Sequence, residues 1–372
     1  MQSAPKAGIY LDWNATSPLL PEVRTALYES QGTLWANPSS VHRAGRVARS
    51  SLESVREKLA QATGFSARDV VFTSGGTEAN NSALEGISSV VLSALEHPSV
   101  TRAAERAKAR GAEVRWVNVG AEGRITPEAV AAALGALPDA HGATVVVTAV
   151  NHETGVIQPV DEIARVVHAA QARLHVDAVQ LLGKANLDVL DAADSVALAA
   201  HKIGGPKGIG ALLFRGTAPK PVLVGGAQER GLRAGTQDAT LALGFGIALD
   251  HALAHLGERA QLAVLRDLLE QELAAVAHVN GARESRVTHV SNLSFERVGG
   301  AELVAALDLE GVYASSGSAC SAGTPEPSTL IAAMLGSERA KGAVRFSLGW
   351  QTQREDIEYT ALAVKRVLTR LG

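Results

Sequence analysis

The chain has 372 residues, 46% of them hydrophobic, and a mean hydropathy of +0.09; at roughly 100 to 200 residues per domain, that is enough for two or three packed domains. Its 35 basic and 38 acidic residues are interspersed and leave a net charge of -3, so no polybasic stripe marks a nucleic-acid binder and any RNA or protein partner must be recognised locally. One cysteine excludes an intrachain disulfide, the first residues lack the apolar core of a signal peptide and no run approaches 18 apolar residues, so the expectation is a cytoplasmic enzyme without a membrane span.

Up to about residue 215, short apolar runs alternate with helix-period segments. Strands are predicted at 70–72, 90–93, 114–117, 144–150, 174–176, 195–198 and 210–214, interleaved with helices at 46–62, 77–85, 100–110, 127–134 and 160–172. That alternation predicts right-handed βαβ units and a mainly parallel sheet wound on both faces, with ligands gathered at the carboxyl ends of the strands. From 241 to 277 the pattern turns long and helical, and a domain change is predicted near residue 255. Strands at 290–295, 311–314 and 343–348 and a helix at 355–371 follow. The fold class expected is α/β: a large domain over 15–255, and a small α+β domain built from 1–14 and 256–372 and carrying Cys320. There is no internal repeat, low-complexity segment or flexible linker.

Several predicted strand ends carry chemically expensive residues. After the 70–72 strand comes Thr73-Ser74-Gly75-Gly76-Thr77-Glu78-Ala79-Asn80, a glycine turn opening a helix. Glycines let backbone amides approach an anion, and a helix N-terminus adds partial positive charge; the turn reads as a phosphate cradle or as a plain β-to-α connection, at roughly even odds. Asp177 ends the 174–176 strand, either facing a ring nitrogen or as a buried cap. The sharpest group is Ala199-Ala200-His201-Lys202-Ile203-Gly204-Gly205-Pro206-Lys207-Gly208, where an apolar strand runs straight into His-Lys and then glycines. A strand-end lysine in apolar surroundings invites a lowered pKa and Schiff-base chemistry, whereas a lysine on a surface turn needs no such role. Taken together, anion anchor, carboxylate and amine describe a pyridoxal phosphate site; Lys207, after Pro206, is the rival amine.

The single cysteine, Cys320, lies in Ser315-Ser316-Gly317-Ser318-Ala319-Cys320-Ser321-Ala322-Gly323, too rich in Gly and Ser for apolar core. A lone buried cysteine is ordinarily a small hydrophobe; these loop-forming neighbours instead predict a reachable thiol. No local cation lowers its pKa from about 8.5, so activation must come from the fold or a cofactor.

These motifs, with Tyr10-Leu11-Asp12-Trp13-Asn14-Ala15-Thr16-Ser17-Pro18, Asn37-Pro38-Ser39-Ser40-Val41-His42, Glu96-His97, Val150-Asn151-His152-Glu153-Thr154-Gly155, His175-Val176-Asp177, Glu229-Arg230-Gly231-Leu232-Arg233-Ala234-Gly235-Thr236 and Arg345-Phe346-Ser347-Leu348-Gly349, resemble cysteine desulfurases of the NifS/IscS type in the class V aminotransferase group. The resemblance covers nearly the whole chain in the family's order. It implies the aspartate aminotransferase-like fold of pyridoxal phosphate-dependent transferases. Lys202 then carries the Schiff base and moves the substrate Cα proton, Asp177 pairs with the pyridinium nitrogen, Gln180 meets the phenolic oxygen, and His97 stacks on the ring as acid or base. Gly76, Thr77 and His201 hold the phosphate with Thr236 from the second subunit of a homodimer, while Asn14 and Arg345 contact substrate, the latter through a bidentate clamp. Cys320 attacks the sulfur of cofactor-bound L-cysteine, leaving alanine and an enzyme persulfide destined for a sulfur-acceptor protein, either an iron-sulfur scaffold or a sulfur carrier. No metal is expected.

Two residues depart from the family pattern. His152 stands where an asparagine amide reaches the cofactor, and Ala199 stands where a serine hydroxyl meets the phosphate. The sequence also stops soon after the 355–371 helix, without the tail that longer family members use to dock a scaffold protein, which leaves the sulfur acceptor open. Alternatives are a related class V aminotransferase or selenocysteine lyase, which do not call for this long cysteine loop, and a non-enzymatic sulfur-carrier-binding or regulatory module, which would hold no chromophore.

Overall fold

The computed structural model of the protein describes residues 8–317 and 326–371. In chain order the first elements are β1 (Ile9–Tyr10), α1 (Pro21–Ser30), α2 (Arg43–Thr63), β2 (Val70–Thr73), α3 (Gly76–Ala83), β3 (Ser89–Ser93), α4 (Pro98–Ala109), β4 (Glu113–Val117) and α5 (Pro127–Gly135). Next come β5 (Thr144–Thr148), α6 (Val160–Ala169), β6 (Arg173–Asp177), β7 (Ser195–Ala199), β8 (Gly210–Phe214), α7 (Ala239–Ala254) and α8 (Ala260–Leu273). The last are β9 (His278–Val279), β10 (Val290–Ser294), α9 (Gly300–Leu309), β11 (Val312–Tyr313), α10 (Thr329–Leu335), α11 (Ser337–Lys341), β12 (Ala343–Ser347) and α12 (Arg354–Leu371).

Seven strands form one sheet in the order β2-β8-β7-β6-β5-β3-β4. Pairing is parallel from β4 across to β7, while β8 is antiparallel to both its neighbours, so it alone runs against the rest. The central strands read as unbroken apolar runs because helices cover both faces: every residue of β3, β5 and β8 is buried. All seven strands were expected, and the sheet is mainly parallel as the alternation implied.

Helix boundaries follow local chemistry. The α2 helix is capped by His42, whose Nδ1 accepts from the Gly45 amide, and ends at Gly64 in the left-handed region. The α7 cap is Asp238, accepting from the Leu241 amide. The helical pattern from 241 to 277 is not one helix: the chain breaks into α7 and α8, which meet at 63° across residues 255–259. The sequence reading missed α1, whose signals are Pro21 at its start and Glu22 in its first turn, and also α9, α10 and α11. Among the described residues no single helix is long and apolar enough to cross a membrane.

Beyond α8, β12, β10 and β9 form a three-stranded antiparallel sheet and β1 pairs in parallel with β11. A second apolar cluster forms here, joining Ile9 and Leu11 from the chain's start to Leu269, Leu303, Phe346 and Val364. Asp12 continues the pairing onto Ser347, so the first described residues are stitched into strands that arrive more than 300 residues later.

Candidate active site

The strand ends β2, β6 and β7 converge on a cavity of about 350 Å³, closed on one side by Asn14 and Arg345. The turn between β2 and α3 forms one wall. Gly75 has a φ of 151°, and a Cβ on Gly76 would stand 2.6 Å from Val179. No side chain caps the α3 N-terminus, so its amides remain available to an anion. Thr77 lines the same wall, and Glu78 behind it takes the Ser74 amide and pairs with Arg233 at 2.9 Å.

Asp177, 5% exposed, is aimed by hydrogen bonds at both oxygens: Asn80 Nδ2 donates at 2.7 Å to one and the Val179 amide at 3.0 Å to the other. Asn80 is itself held, because its Oδ1 lies 3.0 Å from His175 Nε2 and His175 Nδ1 lies 2.8 Å from Ser195 Oγ. Burial pushes the His175 ring down to about 4, so it is neutral and Nε2 carries the hydrogen given to Asn80. This relay from Ser195 to Asp177 was not foreseen; Asn80 appeared only as the end of the glycine turn.

Lys202 ends a short 3-10 turn after β7, and its ammonium donates to the carbonyls of Asn14 at 2.6 Å and Ala15 at 2.9 Å. Beside it, His201 Nδ1 is 3.2 Å from the Thr16 hydroxyl, and burial followed by the nearby lysines pushes its pKa down to about 3. Ala199, buried, lines the cavity where a hydroxyl was noted as missing.

His97 caps α4: its Nδ1 accepts from the Ser99 amide at 3.1 Å, and burial lowers its pKa. In the neutral ring the hydrogen is therefore on Nε2. His152 packs edge-on against it at 5.2 Å between centroids, is buried, and among the described residues has no hydrogen-bond partner on either ring nitrogen. Burial, then His97 and the cations Arg345 and Lys202, hold His152 neutral. Glu96 supports this wall from behind, accepting from Ser93 Oγ and from the amide and hydroxyl of Thr148; burial outweighs those bonds and raises it to about 7.

Arg345 comes from β12 and is 2% exposed. Its Nη2 pairs with Asp12 at 2.5 Å, its Nη1 donates to the His152 carbonyl at 3.0 Å, and among the described residues its Nε has no partner. Its backbone exchanges two hydrogen bonds with Ser315, which anchors the start of the Gly/Ser loop. Gln180 donates from Nε2 to the Asn14 carbonyl at 2.9 Å, and its Oε1 accepts from Lys184.

The cavity thus gathers Asn14, Gly76, Thr77, His97, His152, Asp177, Gln180, His201, Lys202 and Arg345. Thr148, Asn80 and Ser99 line it too and were not singled out from sequence. Two expected members stand apart. Cys320 lies outside the described residues, and Thr236 is exposed within the chain, lining a different cavity with Trp35 and Leu34. The residues present fit pyridoxal phosphate: an uncapped helix start that a Cβ would crowd, a fixed buried carboxylate, an amine and orphaned ring nitrogens share one volume.

The aminotransferase class-V family signature matches residues 9–360. The chain is 35% identical to cysteine desulfurase IscS of Dictyoglomus turgidum, over 98% of this chain and 96% of the relative. It is 38% identical to a cysteine desulfurase of Bradyrhizobium diazoefficiens, again over 98% and 96%. The solved structure of a NifS-like protein superposes with a TM-score of 0.89 at 30% identity, covering 98% of this chain and 100% of that one.

Proposed function

The chain belongs to the class-V aminotransferase family, and on that premise we infer that the cavity is the catalytic site of a cysteine desulfurase of the IscS/NifS type. The observation that carries the assignment to this cavity is the meeting of an uncapped helix start, a carboxylate held by two donors and a strand-end lysine in one enclosed volume. Class-V enzymes depend on pyridoxal phosphate as a family. When bound, that group supplies an electron sink for the bonds around the substrate Cα.

In this reading Gly76, Thr77 and His201 hold the phosphate, Asp177 pairs with the ring nitrogen, Gln180 and His152 face the ring's oxygen side, and Lys202 supplies the amine that moves the Cα proton. Asn14 and Arg345 bind the carboxylate of L-cysteine. His97, with its hydrogen on Nε2, stacks on the ring and gives or takes a proton inside the cavity. The Cys320 sulfur, as thiolate, attacks the substrate sulfur. An S–S bond forms as the substrate C–S bond breaks; the bonding pair and a proton end on the carbon that becomes the methyl group of L-alanine, and a persulfide remains on Cys320. A sulfur-acceptor protein, an iron-sulfur scaffold or a sulfur carrier, then removes it in the cytoplasm.

The site is completed across a homodimer. Thr236 faces away from its own cavity beside Trp35, an aromatic ring 73% exposed, which supports a partner surface there delivering Thr236 to the other subunit's phosphate. The division into a large domain, 15–255, and a small one, 1–14 with 256–372, belongs to the same reading and sets the cavity between the two.

The test is Cys320→Ser. A serine hydroxyl is far harder to ionise and holds no persulfide, so the variant is expected to bind pyridoxal phosphate and to change its spectrum with L-cysteine, while releasing almost no alanine and carrying no protein-bound sulfur. Normal alanine release from the folded variant would overturn the desulfurase mechanism.

A further inference from the structure

Lys184 is 7% exposed, four residues beyond Gln180 and behind the cavity wall. Its ammonium donates to Gln180 Oε1 and, at 3.3 Å, to Asn14 Oδ1. The charges that act on it are those of Lys202, Arg259 and Arg345, all cations, and among the described residues no carboxylate pairs with it. A buried ammonium without a counter-ion weakens a fold, so ion pairing does not account for this lysine.

Its hydrogen bonds instead set the polarity of two amides. An Asn or Gln side chain has a donor end and an acceptor end and can flip, but an ammonium binds only the oxygen. With Oε1 held by Lys184, Gln180 turns its Nε2 toward the cavity side, where it meets the Asn14 carbonyl at 2.9 Å. Asn14 Oδ1 is held by Lys184 and also lies 3.0 Å from His289 Nε2, so Nδ2 turns to the His152 carbonyl at 3.1 Å. Both residues line the cavity, and each amide nitrogen retains a second hydrogen.

We propose that Lys184 is a positioning residue that locks Gln180 and Asn14 with their N–H ends toward the cavity, so that this wall accepts only oxygen acceptors: the phenolic oxygen of pyridoxal phosphate at Gln180 and the carboxylate of L-cysteine at Asn14. The inference rests on the assignment of the cavity as the pyridoxal phosphate site. Burial and the neighbouring cations push Lys184 below its ordinary pKa, and the lock belongs to the protonated form, because a neutral amine accepts as well as donates.

The experiment compares wild type, Lys184→Met and Lys184→Gln by apoprotein melting temperature, pyridoxal phosphate Kd from absorbance titration, and KM and kcat for L-cysteine at saturating cofactor. Met removes an uncompensated charge, so the apoprotein is expected to melt no lower than wild type. Its Kd and KM are each expected to rise about tenfold, the worth of one misdirected hydrogen bond, with kcat changed far less. Gln keeps a side-chain N–H and is expected to recover part of both. Lys184→Met with wild-type Kd and KM overturns the inference, as does a rise in Kd accompanied by a drop of several degrees in apoprotein melting, or a Gln variant no better than Met. Wild-type protein that takes up no pyridoxal phosphate overturns the site assignment itself and this inference with it, whereas normal uptake with an unchanged Met variant overturns this inference alone.

Discussion

Lowering the pH from 7 to 5 should destabilise the protein through His175, a residue that does not line the cavity. The ring is completely buried, bonded through Nε2 to Asn80 and through Nδ1 to Ser195. Burial, opposed only in part by Asp177 and Ser195, brings its pKa down to about 4, against about 6.5 in an unfolded chain. Between those values the unfolded chain takes up a proton that the folded one refuses. The stabilisation is therefore complete above pH 6.5 and is lost as the pH falls toward 4. At 1.36 kcal/mol per unit the whole window is worth about 3 kcal/mol, of which about half disappears between pH 7 and pH 5. Urea unfolding of apoprotein at both pH values, for wild type and His175→Gln, isolates this contribution. Glutamine can donate toward Asn80 but has no proton to take up. Loss of the Ser195 bond should cost the variant about 1 kcal/mol at either pH, while its stability falls about 2 kcal/mol less than wild type on acidification. Equal pH dependence in the two proteins would refute the reasoning.

Lys202→Ala is expected to retain no pyridoxal phosphate absorbance after desalting and to form no alanine; full alanine production would move the amine role elsewhere. Glu229→Ala strips both carboxylate bonds from the buried Arg56, at 2.8 and 2.9 Å, together with bonds from Phe72 and Gln237, and should cost about 3–5 kcal/mol by urea denaturation. A loss under about 1 kcal/mol would mean that Arg56 finds other acceptors. If the proposed homodimer forms through the Trp35 surface, Trp35→Glu should give a monomer by sedimentation and weaken cofactor retention with it, so an undiminished dimer would place the partner surface away from Trp35.

Much of the cavity is legible in the sequence because strand ends in a parallel sheet converge and because each chemistry there needs a residue type that is costly elsewhere. Lys202, one residue past five apolar residues, Asp177 ending β6 and the paired glycines opening α3 stand out on that ground. Asn80 and His175 do not, since their work is done on another side chain and nothing in the one-dimensional pattern pairs positions 95 residues apart. Lys184 reads as an ordinary solvated lysine until tertiary packing buries it. The helical pattern over 241–277 divides into two helices at a bend that periodicity alone does not register, although Gly257 lies in it, close to the domain change read near residue 255. Thr236 follows from the family likeness and not from any local signal; the glycines and arginines around it describe only a loop.

Asp12 and Arg345, 333 residues apart, form an ion pair at the cavity wall that Arg345 lines, and β1 pairs with β11. During synthesis at roughly 5–20 residues per second, the first of these partners waits about seventeen seconds to a minute for the second. The seven-stranded sheet can assemble on the ribosome in that interval, and Asn14 can meet His152, Gln180, Lys184 and Lys202 there, but its bond to Ser347 and the Arg345 wall wait until β12 emerges. The pocket is consequently among the last parts of the nascent chain to take shape, and cofactor capture becomes a checkpoint that only a nearly finished polypeptide can pass.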